Sequence, residues 1–269
     1  MKKIMRGLAA ALALVIPAAA CAEARYIVNC DEWVSLRAEA DTSSERIEKV
    51  PLGTPVYEEK TSGRFSYCRV SADGSEGWIL SEYLGYDDTA LYAGGHTIRA
   101  ERGHDGGGEA MEVRCSSEDG GSWDFRIVTP YMTELTLTKV MIGGTASDPR
   151  VLVYGAGVGL YCLDIETGET VWSLSADEAD FGGSLSHAVG ADGTLYIAGW
   201  YTPRVTAVDM DGNTLWSADP AETDIFGTVY LEADGDSVLA VYEPDTDGSR
   251  PARARYSAAD GAVISIETE

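Results

Sequence analysis

The chain has 269 residues, with 20 Lys and Arg against 44 Asp and Glu and a net charge of -24. That balance lacks the basic footprint that nucleic-acid binding draws on, so nucleic acid is excluded as an expected partner. The acids are interspersed with apolar strands rather than gathered in one block, which reads as a solvated exterior and excludes an acidic disordered tail.

Residues 1–22 read as a secretory signal peptide: "MKKIMR" is basic, "GLAAALALVI" is apolar, and "PAAACAEA" is small enough for cleavage after Ala20 or Ala22. The apolar run is short for a bilayer span, and no later segment supplies one, so no retained transmembrane segment is expected. Cys21 is a candidate lipidation site and hence a candidate lipid anchor, with Ala18 standing where a bacterial lipobox usually has Leu. Export places the rest in a compartment that permits disulfides. Cys30 and Cys68 fall in one small domain and form a candidate disulfide. Cys115 and Cys162 fall at comparable places in adjacent repeats, either as a pair or as small buried hydrophobes.

Residues 26–84 alternate short apolar runs with "DTSSE", "PLGTP", "KTSGR" and "SADGSEG", which are turn-rich interruptions. Strands are expected over 34–37, 46–50, 55–59, 65–70 and 77–80. Five short strands can close into a small barrel. The fragments "NCDEWVSLRAEADTSS", "VPLGTPVY" and "GWILSEYL" resemble the bacterial SH3 domain family, with Glu39-Ala40 where a Gly-Pro is frequent in its first loop. The resemblance implies recognition of cell-wall peptide or protein without chemistry of the domain's own. Among the aromatics, Trp33, Tyr57 and Tyr83 are the candidate ligand-binding residues, while Phe65 and Trp78 are expected in the core.

Residues 94–269 form a second domain. Met111, Val113 and Cys115 share one face of a strand, and after "SSEDGGS" the alternation resumes with Trp123, Phe125 and Ile127, a hairpin pattern. "LYCLDIETGETVWSL" and "VTAVDMDGNTLWSAD" then repeat a strand-turn-strand phrase, with Asp164 and Asp209 45 residues apart and Trp172 and Trp216 44 apart. Weaker copies surround Trp123 and, near the C-terminus, Ser257 and Ile264, the latter aligned with the tryptophans. A repeat of this size with short strands fits a four-stranded propeller blade. The tryptophans are read as packing anchors, and the aspartates as turn residues. The phrases resemble the β-propeller repeats of pyrroloquinoline-quinone-like proteins, a group that includes redox enzymes and noncatalytic assembly proteins. The fold class expected is therefore all-β: a small SH3-like barrel followed by a repetitive β domain, a partial or small propeller.

No catalytic centre emerges. Gly155, Gly157 and Gly159 in "VLVYGAGVGLY" approach a nucleotide-binding pattern, but Leu160 holds the last glycine position and starts a strand instead of the helix that a pyrophosphate needs. "DMDGN" and "EPDTDGSR" lack the rest of a calcium-binding loop. His96, His104 and His187 are scattered, and no metal or cofactor is expected. Ser184, Ser186 and His187, near Asp177 and Asp180, lack a nucleophile elbow. The expected function is a secreted or envelope-associated bacterial binding protein, taking cell-wall peptide, glycan or envelope protein. A noncatalytic envelope assembly scaffold is the alternative, and a secreted hydrolase or redox enzyme a third.

Overall fold

A computed structural model describes residues 23–70, 74–85, 90–130, 138–176, 185–200, 202–220, 227–243 and 251–268. The leader, with Cys21, lies outside the described residues, as do Asp177, Asp180 and Ser184. The chain is all-β, as the alternation patterns require. Its first module is a seven-stranded antiparallel barrel sheet, ordered Arg46–Pro51, Trp33–Arg37, Glu76–Leu80, Phe65–Val70, Pro55–Ser62, Glu23–Ile27 and Leu84–Gly85. The first and last of these in the sequence, Glu23–Ile27 and Leu84–Gly85, were not among the expected strands. They pair with each other, Tyr26 opposite Gly85, and so tie the module's two ends together. Every second side chain points inward, giving a core of Ile27, Val34, Leu36, Val50, Val56, Cys68, Val70 and Ile79.

Four four-stranded antiparallel sheets follow, each in simple meander order. The first blade comprises Ala90–Ala93, His96–Asp105, Gly108–Ser117 and Ser122–Val128, and the second Thr138–Thr145, Asp148–Gly155, Gly159–Asp164 and Thr170–Ser175. The third comprises Leu185–Val189, Leu195–Gly199, Val205–Val208 and Thr214–Ala218, and the fourth Thr228–Asp234, Ser237–Tyr242, Ala252–Ser257 and Val263–Thr268. The first strand of each blade touches the first strand of the next, so these strands line the inside of the array. Three apolar clusters join the first blade to the second, the second to the third, and the third to the fourth. Each sheet thus buries its faces against its neighbours, which is how a repeat too small for its own core becomes stable.

The repeated phrase quoted above has a specific packing role. The Trp123, Trp172 and Trp216 indoles donate to the carbonyls of Ile165, Met210 and Ala258, each on the next blade, at 2.8, 2.9 and 2.9 Å. Each ring lies over a glycine of the next blade's turn, where an added Cβ would come within 2.6 Å of the Trp123 ring at Gly168, 2.7 Å of Trp172 at Gly212 and 2.5 Å of Trp216 at Gly261. Those glycines have φ near +71, +87 and +72°, a conformation glycine adopts at no steric cost. Asp164 and Asp209 close the same turns. Asp164 Oδ1 accepts from the backbone N–H groups of Glu166 and Thr167, and Asp209 Oδ1 from those of Asp211 and Asn213. Sequence aspartate, turn glycine and tryptophan are therefore three parts of one interblade joint.

The joint is absent at both ends of the array. In the outer hairpins Trp123 pairs with Cys115, Trp172 with Cys162 and Trp216 with Ala207, and the corresponding pair in the fourth blade is Ser265 with Arg255. The equivalent of the tryptophans is thus Ser265, which corrects the alignment with Ile264. A β-bulge adds one residue to each outer strand of the last three blades, and Val171, Leu215 and Ile264 are those extra residues. At the other end, nothing lies within 4 Å of the Cβ position of Gly120, in the first blade's turn.

The barrel bridges these two ends. Tyr92 N–H of the first blade donates to Leu52 O at 2.9 Å, and Gly53, at φ +82°, brings the barrel turn so close that a Cβ would lie 2.3 Å from the Leu91 side chain. On the fourth blade, Tyr230 packs on Tyr57 with centroids 5.2 Å apart, and Glu232 is ion-paired with Arg69. Arg69 also stands 4.9 Å from the Tyr57 ring centroid.

Candidate functional site

The barrel's outer face, away from its core, carries a row of directly paired residues across five strands. Arg46 is opposite Arg37, Arg37 opposite Trp78, Trp78 opposite Tyr67, and Tyr67 opposite Lys60. Strand spacing makes the row about 19 Å long. It exists because Leu36, Ile79 and Cys68 turn inward on their strands, which sends their neighbours Arg37, Trp78 and Tyr67 out. Trp33, two positions beyond Ser35 on the same strand face, extends the row sideways.

Cations cover these rings. Lys60 Nζ lies 4.4 Å from the Tyr67 centroid and 5.8 Å from that of Trp78, and Tyr67 and Trp78 meet edge to face at 5.2 Å. Lys49 Nζ and the Arg46 guanidinium lie 4.1 and 5.1 Å from the Trp33 ring. The Tyr67 hydroxyl donates to Glu76 at 3.0 Å, and that bond raises its pKa, keeping the phenol neutral. Arg37 donates to Ser44 O at 2.7 Å, which fixes its direction.

The barrel's cations divide into ion-paired and unpaired sets. Arg25 is paired with Glu58 at 3.0 Å, Arg64 with Glu82 at 3.2 Å, and Arg69 with Glu59 and Glu232. Among the described residues, Arg37, Arg46, Lys49 and Lys60 have no ion pair with a carboxylate. An exposed cation over an aromatic ring gains only about 0.5–1 kcal/mol. A ligand carboxylate adds charge-assisted hydrogen bonds to donors that the rings leave unused. In a chain of net charge -24, four such cations around three aromatic rings form a local positive, stackable surface.

The sequence-predicted residues divide accordingly. Trp33 is half-buried on this face. Tyr57 is instead buried, 4% exposed, in the contact with Tyr230, and so is an interdomain residue rather than part of a ligand face. Tyr83 packs against the barrel core from the short 3-10 turn Ser81–Tyr83, its carbonyl accepting from Val28 N–H at 2.9 Å. Trp78, expected in the core, lies half-buried on the outer face with Tyr67. Tyr67, Lys60 and Arg37 were not singled out, although alternation in "FSYCRV" and "EGWIL" places Tyr67 and Trp78 opposite to Cys68 and Ile79.

Cys30 and Cys68 do not form the candidate disulfide; both are free, with Cys30 packed at the rim of the core that contains Cys68. Cys115 and Cys162 are also free, each paired across its hairpin with an interblade tryptophan. Burial pushes the Cys68 and Cys162 thiols up to about 12 and that of Cys115 up to about 11, so all three are protonated at neutral pH. His96 bonds Gly94 O through Nδ1 and faces Glu166 through Nε2 at 3.3 Å, while His104 is exposed on the same blade and His187 belongs to the third. Among the described residues no group of three or more His, Cys, Asp or Glu is placed to hold a metal ion. No described helix is long and apolar enough to cross a membrane.

Residues 34–85 match the family model of the bacterial SH3 domain, and residues 156–264 match that of the outer membrane protein assembly factor BamB. These are the two kinds of module that the sequence resembles. Comparison with curated proteins gives no match. Among solved structures, BamB from Moraxella catarrhalis is 15% identical over 92% of this chain and 75% of its own, with a TM-score of 0.43. Virginiamycin B lyase from Staphylococcus aureus is 9% identical over 92% of this chain and 87% of its own, with a TM-score of 0.39. A quinohemoprotein alcohol dehydrogenase from Pseudomonas putida HK5 is 20% identical over 45% of this chain, with a TM-score of 0.37, and the chain spans only 19% of that protein's length.

Proposed function

We propose that this chain is an exported, envelope-associated interaction protein whose barrel holds an acidic, carboxylate-bearing cell-wall peptide or glycan along the row from Arg46 to Lys60. The observation that carries this reading is the set of three cations on one face, Arg46, Lys49 and Lys60, that lie over aromatic rings and have no ion pair with a carboxylate among the described residues, with Arg37 beside them in the row. An extended peptide rises about 3.3 Å per residue, so the row accommodates roughly five or six residues. The blade array serves as the rigid body on which the barrel is mounted, fastened at Leu52, Tyr57 and Arg69.

A noncatalytic assembly scaffold is the second reading, and a separate observation favours it. The bulged residues Val171, Leu215 and Ile264 are 46, 51 and 58% exposed at the same position of three successive blades. Such a periodic apolar set on outer strands suits contact with another protein, and the BamB-like match over residues 156–264 accords with that use.

Calorimetric titration of the purified protein with a wall stem peptide bearing free carboxylates, and with the same peptide fully amidated, tests the first reading. Saturable binding of the free acid, weakened by salt and lost on amidation, is expected. Equal affinity for both peptides, or no binding to the free acid, would contradict it.

A further inference from the structure

Among the described residues five large apolar side chains are exposed, and four of them, Val171, Leu215, Val263 and Ile264, stand on the outermost strands of the last three blades. Each of those strands ends its sheet and is paired on one side only. Val171, Leu215 and Ile264 are the extra residues of β-bulges, which re-aim side chains at sheet edges. The first blade differs. Its outer hairpin pairs from Ala110 to Ser116 without a register shift, and none of the five exposed apolar side chains belongs to it. Single apolar residues scattered over a surface need no partner, but the same exposed position filled in three successive blades is a patterned surface.

The charge around this rim is one-sided. The hairpins 164–175, 209–219 and 257–268 carry three, three and two carboxylates and no Lys or Arg. Arg150 and Arg204, from neighbouring strands, reach Asp164 and Asp219 at 2.8 and 3.2 Å. Glu169, Asp211 and Glu267, one in each hairpin, are exposed and have no ion pair among the described residues. On the outer hairpin of the first blade, by contrast, Arg114 and Arg126 are ion-paired with the surrounding carboxylates. Apolar side chains set among unpaired carboxylates complement a surface that offers apolar contact and cations together. They do not suit an anionic membrane, whose headgroups repel carboxylates. A second copy of this chain, with the same net charge of -24, meets a similar repulsion.

We propose that the outer rim of the last three blades docks a basic, amphipathic face of a partner protein, its apolar side chains resting on Val171, Leu215 and Ile264 and its Lys or Arg side chains pairing with Glu169, Asp211 and Glu267. The proposal rests on the scaffold reading above and adds the chemistry of the partner; the cation row of the barrel takes no part in it.

Fluorescence anisotropy of a labelled amphipathic peptide built from Leu and Lys, and of its Leu/Gln and Leu/Glu counterparts, each titrated with the purified protein, tests it. The Leu/Lys peptide should bind saturably and more tightly than the other two. Val171→Thr/Leu215→Thr/Ile264→Thr changes exposed positions only, so it should leave the melting temperature nearly unchanged and weaken the peptide at least about ten-fold. Glu169→Gln/Asp211→Asn/Glu267→Gln should weaken it about five-fold. Glu101→Gln/Glu112→Gln/Asp124→Asn on the first blade removes the same charge and should have little effect. Absence of saturable Leu/Lys binding, an affinity that the threonine variant leaves unchanged, or an equal loss from the first-blade variant would overturn the proposal. A dimer in sedimentation that the threonine variant dissociates would give the rim to a second copy and overturn it as well. Binding of the Leu/Gln peptide as tight as that of Leu/Lys, and lost in the threonine variant, would overturn the basic partner while leaving the scaffold reading in place; insensitivity of all three peptides to the threonine variant would remove both.

Discussion

Trp216 and Trp78 each occupy the third position of a five-residue antiparallel strand, yet one belongs to a joint and the other to a surface. Trp216 is 9% exposed, lies between Tyr196 and Tyr256 with centroids 5.8 and 6.4 Å away, and donates its indole N–H to Ala258 O on the next blade. Trp78 is half-buried on the barrel's outer face with Tyr67 beside it and Lys60 above. The difference lies in what each ring meets. A glycine turn with a carbonyl aimed at the ring receives Trp216, whereas cations from two neighbouring sheet positions gather around the rings of the barrel. The role of an aromatic in such a chain is therefore set by the element that receives it.

The comparison is broken most severely by removing the joint. Trp216→Ala deletes a large buried ring and is expected to cost about 3–5 kcal/mol, lowering the melting temperature by about 10 °C in a chain of this size. Trp172→Ala follows the same direction with a smaller loss, because that ring is only half-buried. Thermal denaturation followed by circular dichroism reads both, and equal stability of Trp216→Ala and the parent would refute the interblade joint.

The receiving side of the joint gives the next effect. Gly261→Ala forces a side chain into φ +72° and sets its Cβ 2.5 Å from the Trp216 ring, at an expected cost of about 2 kcal/mol. Gly120→Ala, at a turn where no ring docks, should show only the backbone component. A denaturant titration of the two variants separates them; a cost at Gly120 as large as at Gly261 would argue against ring docking.

The turn aspartates supply the smallest effect. Hydrogen bonds from Asn213, first from its side chain, then from its backbone, hold Asp209 below the usual carboxylate range. A folded-state pKa below the unfolded value contributes stability that is present above about pH 4 and is lost as pH falls through and below that point. Asp164 shifts in the same direction: burial opposes the shift, and the bonds from Thr167 and Glu166 outweigh it. Asp209→Asn should therefore flatten part of the loss in melting temperature between pH 5 and about pH 3. An unchanged acid profile would remove Asp209 from the account.

Much of this architecture was legible in the residues. Alternation placed most barrel strands, and the recurrence of aspartate, glycine and tryptophan marked the outer hairpins before their joints could be seen. Other features depend on information that local sequence does not hold. Counting from aspartate to tryptophan put Ile264 in the tryptophan position, because the turn after Ser257 has the longer spacing seen between Asp164 and Gly168, not the shorter one between Asp209 and Gly212; counting four residues on from Gly168, Gly212 and Gly261 leads to Trp172, Trp216 and Ser265. Tyr57 looked like a ligand residue because its partner, Tyr230, lies far along the chain in the last blade. Cys30 and Cys68 share a core without bridging, which an even cysteine count does not reveal. Trp78 is different: the inward turn of Ile79 sends it outward, and strict use of the period of two would have found it.

The central claim, that the barrel's outer aromatics form a binding surface rather than a core, is tested most directly by measuring acidic wall-peptide affinity and melting temperature on the same preparation of Trp78→Ala. The account predicts an affinity at least about ten-fold weaker, equivalent to about 1.4 kcal/mol, with a melting temperature within about 3 °C of the parent. A large fall in melting temperature with the affinity of the remaining folded protein unchanged would contradict it.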